Sequence, residues 1–137
     1  MAFWLMKSEP GAWSWDDQVR AGTAEWDGVR NPQASNNLKA MAPGDRAFFY
    51  HSGKERRVVG IVAVVKAYYP DPSDPAGRFG MVDVKAVRPL ERPVTLAEIK
   101  AEPRLADLAL MRQSRLSVLP VGDREWRIIC AIGGTPA

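Results

Sequence analysis

Eleven glycines and eleven prolines are dispersed through this 137-residue chain, with no low-complexity tract and no internal repeat. In a helix interior a proline costs about 3 kcal/mol and a glycine about 1 kcal/mol. The chain must therefore fold as many short elements joined by turns, not as a few long helices. The length suits one compact core and is short for two, so a single domain over residues 1–137 is expected. The longest nearly uncharged run, Val58 to Ala67, already holds Gly60 and Lys66. It falls far short of the ~20 apolar residues of a membrane span. Met1 to Lys7 carries no basic region ahead of an apolar one, and Cys130, the single cysteine, has no partner for an internal disulfide. These features lead to the expectation of a soluble, cytoplasmic, monomeric protein with no membrane partner.

Local signals divide the chain further. Phe3 to Lys7 suggests an opening strand ended by Ser8-Glu9-Pro10-Gly11. Ser14 ahead of Asp16 and Asp17 is an N-cap with acids in the first turn, which predicts a helix from Trp15 to Ala21 stopping near Gly22. Asn31-Pro32 starts a second helix that ends before Pro43-Gly44. Arg46 to Ser52 and Arg57 to Tyr68 are β-rich runs around Gly53-Lys54-Glu55, a hairpin signal, and Met81 to Val87 alternates as a strand should. Thr95 with Glu98 forms a capping box for a short helix broken at Pro103. Leu116 to Val121 completes the strands, and Asp123 to Ile132 is a final helix ended by Gly133-Gly134. The fold class that follows is α+β: a mixed, mostly antiparallel sheet curled into a small barrel, with short helices around it.

Charge is distributed unevenly. From Arg30 to Lys66 seven basic residues face two acids, a local excess of +5, while the rest of the chain carries −2. Such a bias fits a few phosphate contacts or simply a solvated face. Five tryptophans stand out in so small a chain. Trp126, on a helical face with Ile129 and Cys130, belongs to a core, as does Trp4; Trp13 and Trp15 fit either core or function. Trp26 sits beside Asp27-Gly28 in a connection, where a large ring is either a lid on the core or a pocket wall.

The stretch Arg30 to Asn37 adds four amides and a guanidinium. Amides carry the paired donor and acceptor that match a base edge. Asn31 suits both capping and lining a site, whereas Gln33 and Asn37 are expected in solvent. His51 is the only histidine, so zinc is not expected, nor is any other cofactor. On a regular strand Tyr50 and Ser52 share a face and His51 takes the other. The same alternation separates Lys7 from Ser8 and places Lys7 with Glu9. No G-x-S-x-G, H-E-x-x-H, P-loop or G-x-G-x-x-G occurs.

Taken in order, Phe3-Trp4-Leu5-Met6-Lys7-Ser8-Glu9-Pro10, Trp13-Ser14-Trp15-Asp16-Asp17 and Trp26-Asp27-Gly28-Val29-Arg30-Asn31 resemble the EVE domain of the PUA-like superfamily. So do Phe48-Phe49-Tyr50-His51-Ser52 and Arg112-Gln113-Ser114-Arg115-Leu116-Ser117-Val118, and the likeness runs over nearly the whole chain. The resemblance implies a PUA-like fold and a non-catalytic module that holds a nucleobase, modified in the expected case, as part of a DNA or RNA partner. The base would be single-stranded or extruded. Carried onto this sequence, the ligand-binding residues are Lys7 and Ser8, Trp26 with Arg30 and Asn31, Tyr50 with His51 and Ser52, and Arg112 with Gln113 and Ser114, joined by Asn36. Family members usually carry an aromatic where Pro32 stands and a basic residue where Ser35 stands, and their loop after Tyr69 is longer.

The expected mechanism is a base stacked on Trp26, its polar edge met by Asn31, in a cavity that also reaches His51. Arg30, Arg56, Arg57 and Arg112 would meet phosphates. Two other classes remain open: an amidohydrolase acting on acylated nucleosides, with Lys7 and Glu9 as acid and base, and a protein-interaction module.

Overall fold

In the computed structural model, which describes residues 1–137, the chain forms six strands and five short α-helices. Strands β1 (Phe3–Ser8), β2 (Thr23–Glu25), β3 (Arg46–His51), β4 (Arg57–Pro70), β5 (Gly80–Thr95) and β6 (Val118–Val121) form one sheet in the order β2-β5-β4-β3-β1-β6. Every neighbouring pair is antiparallel except β1 with β3. That parallel pair requires a crossover, and helices α1 (Trp15–Ala21) and α2 (Pro32–Ala40) with β2 supply it. Helices α3 (Leu96–Ala101), α4 (Ala109–Arg112) and α5 (Asp123–Ile132) follow later in the chain. The architecture is the expected α+β arrangement around a mostly antiparallel sheet, and no helix is long and apolar enough to cross a membrane.

The helix boundaries follow from their caps. Ser14 accepts from the Asp17 amide and the Asp17 carboxylate accepts from the Ser14 amide, closing a capping box on α1. Asn31 accepts from the Ala34 amide at the head of α2, with Pro32 in the first turn. Thr95 and Glu98 cap α3 in the same reciprocal way. Strand β5 runs far past the expected Val87, to Thr95, and takes in Pro89 and Pro93. The pairing with β4 breaks register between Val58 and Gly60, where Gly60 faces Pro89, and at three further points. Such irregularities are where a sheet accommodates a residue with no N–H to donate, and where it bends. Short β2 and α4 carried no pattern long enough to detect.

Curling is visible in what α2 touches. The helix packs against β6 at one end of the sheet order and against β4 and β5 near the other. Asn37 Nδ2 donates to the Val118 carbonyl of β6 at 2.7 Å, and Ser35 Oγ lies 3.0 Å from the Tyr68 hydroxyl of β4. Asn37 is thus a structural tie and not the solvent-facing amide expected. Thirty-four buried residues form one contiguous core. Within it Trp126 stacks between Phe3 at 4.3 Å and Phe48 at 3.9 Å. Trp15 lies over Gly60, where a Cβ would come within 2.6 Å of its ring, and meets Phe49 edge to face at 5.4 Å. Trp4 is buried and its indole N–H donates to Asp45 at 3.1 Å.

Candidate nucleic-acid interface

The single cavity expected from the sequence resolves into two hollows that share one wall residue, Lys7. The larger, about 750 Å³, opens between the end of β1, the turn before α1, and the segment from β2 to Arg30. Trp13 and Trp26 supply its aromatic surface, Ser8 and Ser117 its hydroxyls, and Glu9, Glu25 and Asp27 its carboxylates. The smaller, about 500 Å³, is lined by Lys7, Tyr50, Ser52, Arg56, Lys100 and Ser114 together with Leu96, Leu110 and Met111. Both volumes fall in the range of small-molecule sites.

Trp26 resolves the ambiguity between lid and wall by being both. It is 8% exposed, meets Phe49 edge to face at 5.6 Å, and still borders the larger hollow. Trp13 is the more accessible ring: it is half-buried, and its indole N–H donates to Gln18 Oε1 at 3.0 Å, which fixes its orientation. Ser8 donates to the Trp13 carbonyl at 2.5 Å and so ties β1 to that turn.

The turn that carries Trp26 is held by a residue of the loop after Tyr69 that was not among the expected site residues. The side chain of Asp71 is wholly buried. One of its oxygens accepts from the Gly28 amide at 2.8 Å and from Arg30 at 3.2 Å; the other accepts from the Ser73 amide at 2.8 Å and hydroxyl at 2.6 Å. Burial alone would raise this carboxyl, but the donors from Ser73, Gly28 and Arg30 outweigh it and hold it at about 2. The available signal was an Asp followed two residues on by Ser in a turn, the pattern of a side chain that bonds its own backbone.

Several expected ligand residues have other partners. His51 is buried and turned away from both hollows: its Nε2 accepts the Trp15 amide at 3.0 Å and its Nδ1 lies 2.9 Å from Glu55 Oε1. Asn31 spends its side-chain oxygen on the α2 cap, and neither it nor the exposed Asn36 lines either of these two hollows. Arg112 pairs with Asp107 at 2.7 Å and Gln113 accepts from Gln33 at 3.0 Å, both on the surface. Arg30 lines the larger hollow while bound to Asp71 and Ser73. The cavity joining Trp26, Asn31 and His51 is therefore replaced by one joining Trp26 to Trp13, Lys7, Ser8 and Ser117. Tyr50, Ser52 and Ser114 gather instead with Lys7 around the smaller hollow.

Lys7 stands between the two spaces. Its Nζ donates to the Ser114 carbonyl at 2.7 Å and lies 5.8 Å from the Tyr50 ring centre, and partial burial lowers its pKa from the ordinary lysine value. Glu9 marks the same partition, because a Cβ on Gly53 would fall 2.4 Å from its Oε2. The charges separate accordingly. Three carboxylates and two cations line the larger hollow, whereas three cations and no carboxylate line the smaller. Arg56 is also the only non-glycine residue with a positive φ, 47°. That left-handed conformation costs about 1–2 kcal/mol for an L-residue.

Comparison with known proteins agrees with the fold. The model of the EVE domain family matches residues 2–132. Thymocyte nuclear protein 1 of Homo sapiens is 35% identical over 164 aligned residues, which cover 94% of this chain and 72% of that protein. A Rhodopseudomonas palustris protein solved by NMR is 54% identical with a TM-score of 0.93, covering 98% of this chain and 94% of that one. The crystal structure of human THYN1 protein in complex with DNA containing 5-methylcytosine is 34% identical with a TM-score of 0.91, and each chain is covered in full. An ASCH protein from Zymomonas mobilis, 11% identical with a TM-score of 0.56, shares the fold alone.

Proposed function

This chain belongs to the EVE domain family, and from that premise we propose that it binds a modified base of a nucleic acid, without catalysis, in the hollow between Trp13 and Trp26. The observation that carries the proposal is the lining itself: two indole rings converge with the Ser8 and Ser117 hydroxyls and three carboxylates in one space. A base stacked on an aromatic ring gains ~1–3 kcal/mol whatever its identity, so the rings supply affinity. Carboxylates accept from the exocyclic amine of cytosine, so Glu9 and Glu25 supply preference, the role expected of Asn31. The human THYN1 protein crystallised with 5-methylcytosine-containing DNA makes this base the first to try. A buried methyl group adds about 0.8 kcal/mol, roughly a fourfold preference. Extruding the base from a duplex costs a few kcal/mol, which favours single-stranded or mispaired targets.

The test is the affinity of single-stranded oligonucleotides bearing 5-methylcytosine or cytosine, in DNA and in RNA, at one fixed salt concentration. Trp13→Ala and Trp26→Ala should each weaken binding about tenfold. Trp26→Ala also removes a core contact to Phe49, so its melting curve must accompany its affinity. Unchanged binding by both variants would exclude stacking in this hollow.

One observation favours a second reading: Lys7 and Glu9 border the same space, as an acid and base pair would in an amidohydrolase acting on acylated nucleosides. Incubation with acylated cytidine separates the two, since release of the free amine would make the chain an enzyme.

A further inference from the structure

We propose that the smaller hollow, on the far side of Lys7, is a phosphate-binding subsite that holds the sugar-phosphate backbone next to the base. This rests on the placement of the base in the larger hollow. Of the four arginines expected from the sequence to meet phosphates, three already face carboxylates: Arg30 on Asp71, Arg57 on Glu55 and Arg112 on Asp107. Arg56 makes no ion pair, and neither does Lys100; both line the smaller hollow with Lys7.

An independent observation points to a polar ligand in the same place. Tyr50 is 3% exposed and lines this hollow, and its hydroxyl has no hydrogen-bond partner within the protein, although it is not among the fully enclosed polar atoms. Three cations, the unpartnered Tyr50 hydroxyl and the Ser52 and Ser114 hydroxyls form a donor set with no carboxylate among the lining residues. Charge-assisted hydrogen bonds from lysine and arginine are the usual means of holding a phosphate oxygen. The larger hollow is unsuited to that task, because its carboxylates repel a phosphate and accept from a base amine instead. The left-handed backbone of Arg56 fits this assignment, since strain retained at one residue is often found where a side chain must be aimed. The division of labour is therefore spatial, with the base on one side of Lys7 and the phosphate on the other.

The experiment compares 5-methyldeoxycytidine, which has no phosphate, with its 3′- and 5′-monophosphates, using the whole chain, wild type and variants. At least one monophosphate should bind about tenfold more tightly than the nucleoside, and the one that gains gives the strand direction. Arg56→Ala and Lys100→Ala should abolish that gain and leave nucleoside affinity unchanged, with melting curves confirming that both fold. On a single-stranded oligonucleotide each should lower the slope of log affinity against log salt by about 0.7. Monophosphates no tighter than the nucleoside, or variants that weaken nucleoside and monophosphate equally, would overturn the proposal. Titration with inorganic phosphate alone, followed through the Gly53, Arg56 and Ser114 amide signals, tests the subsite without the base. Shifts that Lys100→Ala removes support it, and their absence overturns it even if the nucleoside binds. If phosphate shifts these signals and no nucleoside binds, the base assignment fails and the anion site stands.

Discussion

Asp71→Asn removes the charge that holds the turn of Trp26 in place while leaving the side-chain volume almost unchanged. The carboxylate is fully buried and each oxygen accepts two hydrogen bonds, from Gly28 and Arg30 on one side and from Ser73 twice on the other. An asparagine keeps one oxygen and turns an NH2 group toward the other pair of donors, so two bonds become donor against donor. In the folded chain Asp71 titrates at about 2, against the 3.8 of an unperturbed aspartate. That gap corresponds to about 2.5 kcal/mol at neutral pH. A depressed carboxyl contributes stability that is fully present above its unfolded pKa and is lost as pH falls through its folded pKa, so the window here runs from about pH 4 to about pH 2. The expected result is a melting temperature for Asp71→Asn lower by roughly 8–10 °C at pH 7. The difference from wild type should shrink through that window and nearly vanish at its acid end. Melting temperatures of both proteins at half-unit pH steps measure it, and the difference between them cancels the other titrating groups. A constant difference across the window would refute the role given to this carboxylate, as would no difference at pH 7. Under the proposed function, affinity for 5-methylcytosine-containing DNA should fall as well, because Gly28 and Arg30 both border the hollow.

Three further outcomes are expected. His51→Ala leaves the buried Trp15 amide without its acceptor and should cost about 1–3 kcal/mol of stability, while nucleoside affinity, measured where the variant is folded, stays at the wild-type value. Gly60→Ala drives a methyl group to within 2.6 Å of the Trp15 ring and should lower stability by about 1–3 kcal/mol in a denaturant titration. Burial pushes the Cys130 thiol up to about 11, so at pH 8 a thiol reagent should modify it only as fast as the protein unfolds; rapid labelling of the native protein would show that the helix carrying it opens locally.

Much of the local structure was legible because its causes are local. Ser14, Asn31 and Thr95 announce three helix starts through side chains that bond backbone three residues on. The hairpin of β3 and β4 and the boundaries of α5 follow from the same short range of interaction. The long β5 was hidden by Pro89 and Pro93, which read as breaks until the irregular register with β4 is known. The assignment of Trp4 and Trp126 to the core also held, since each lies in a pattern of apolar neighbours.

The sequence motifs and the family resemblance they carry gathered Lys7, Ser8, Trp26, Arg30, Tyr50, Ser52 and Ser114 into one expected site; the first four line the larger hollow and the last three the smaller. Only the tertiary structure decided that these are two spaces, that Trp13 is the open ring, and that His51 and Asn31 have other partners. Strand alternation turns His51 toward Trp15 while Tyr50 and Ser52 face the hollow. The pairing of three arginines with carboxylates depends partly on where loops distant in sequence come to rest, as with Arg30 and Asp71. Hydrogen bonds and ion pairs act over a few ångströms, so a sequence names the groups able to form them, and the packing of β1, the turn of Trp26 and the loop of Asp71 chooses which of them remain free to meet a ligand.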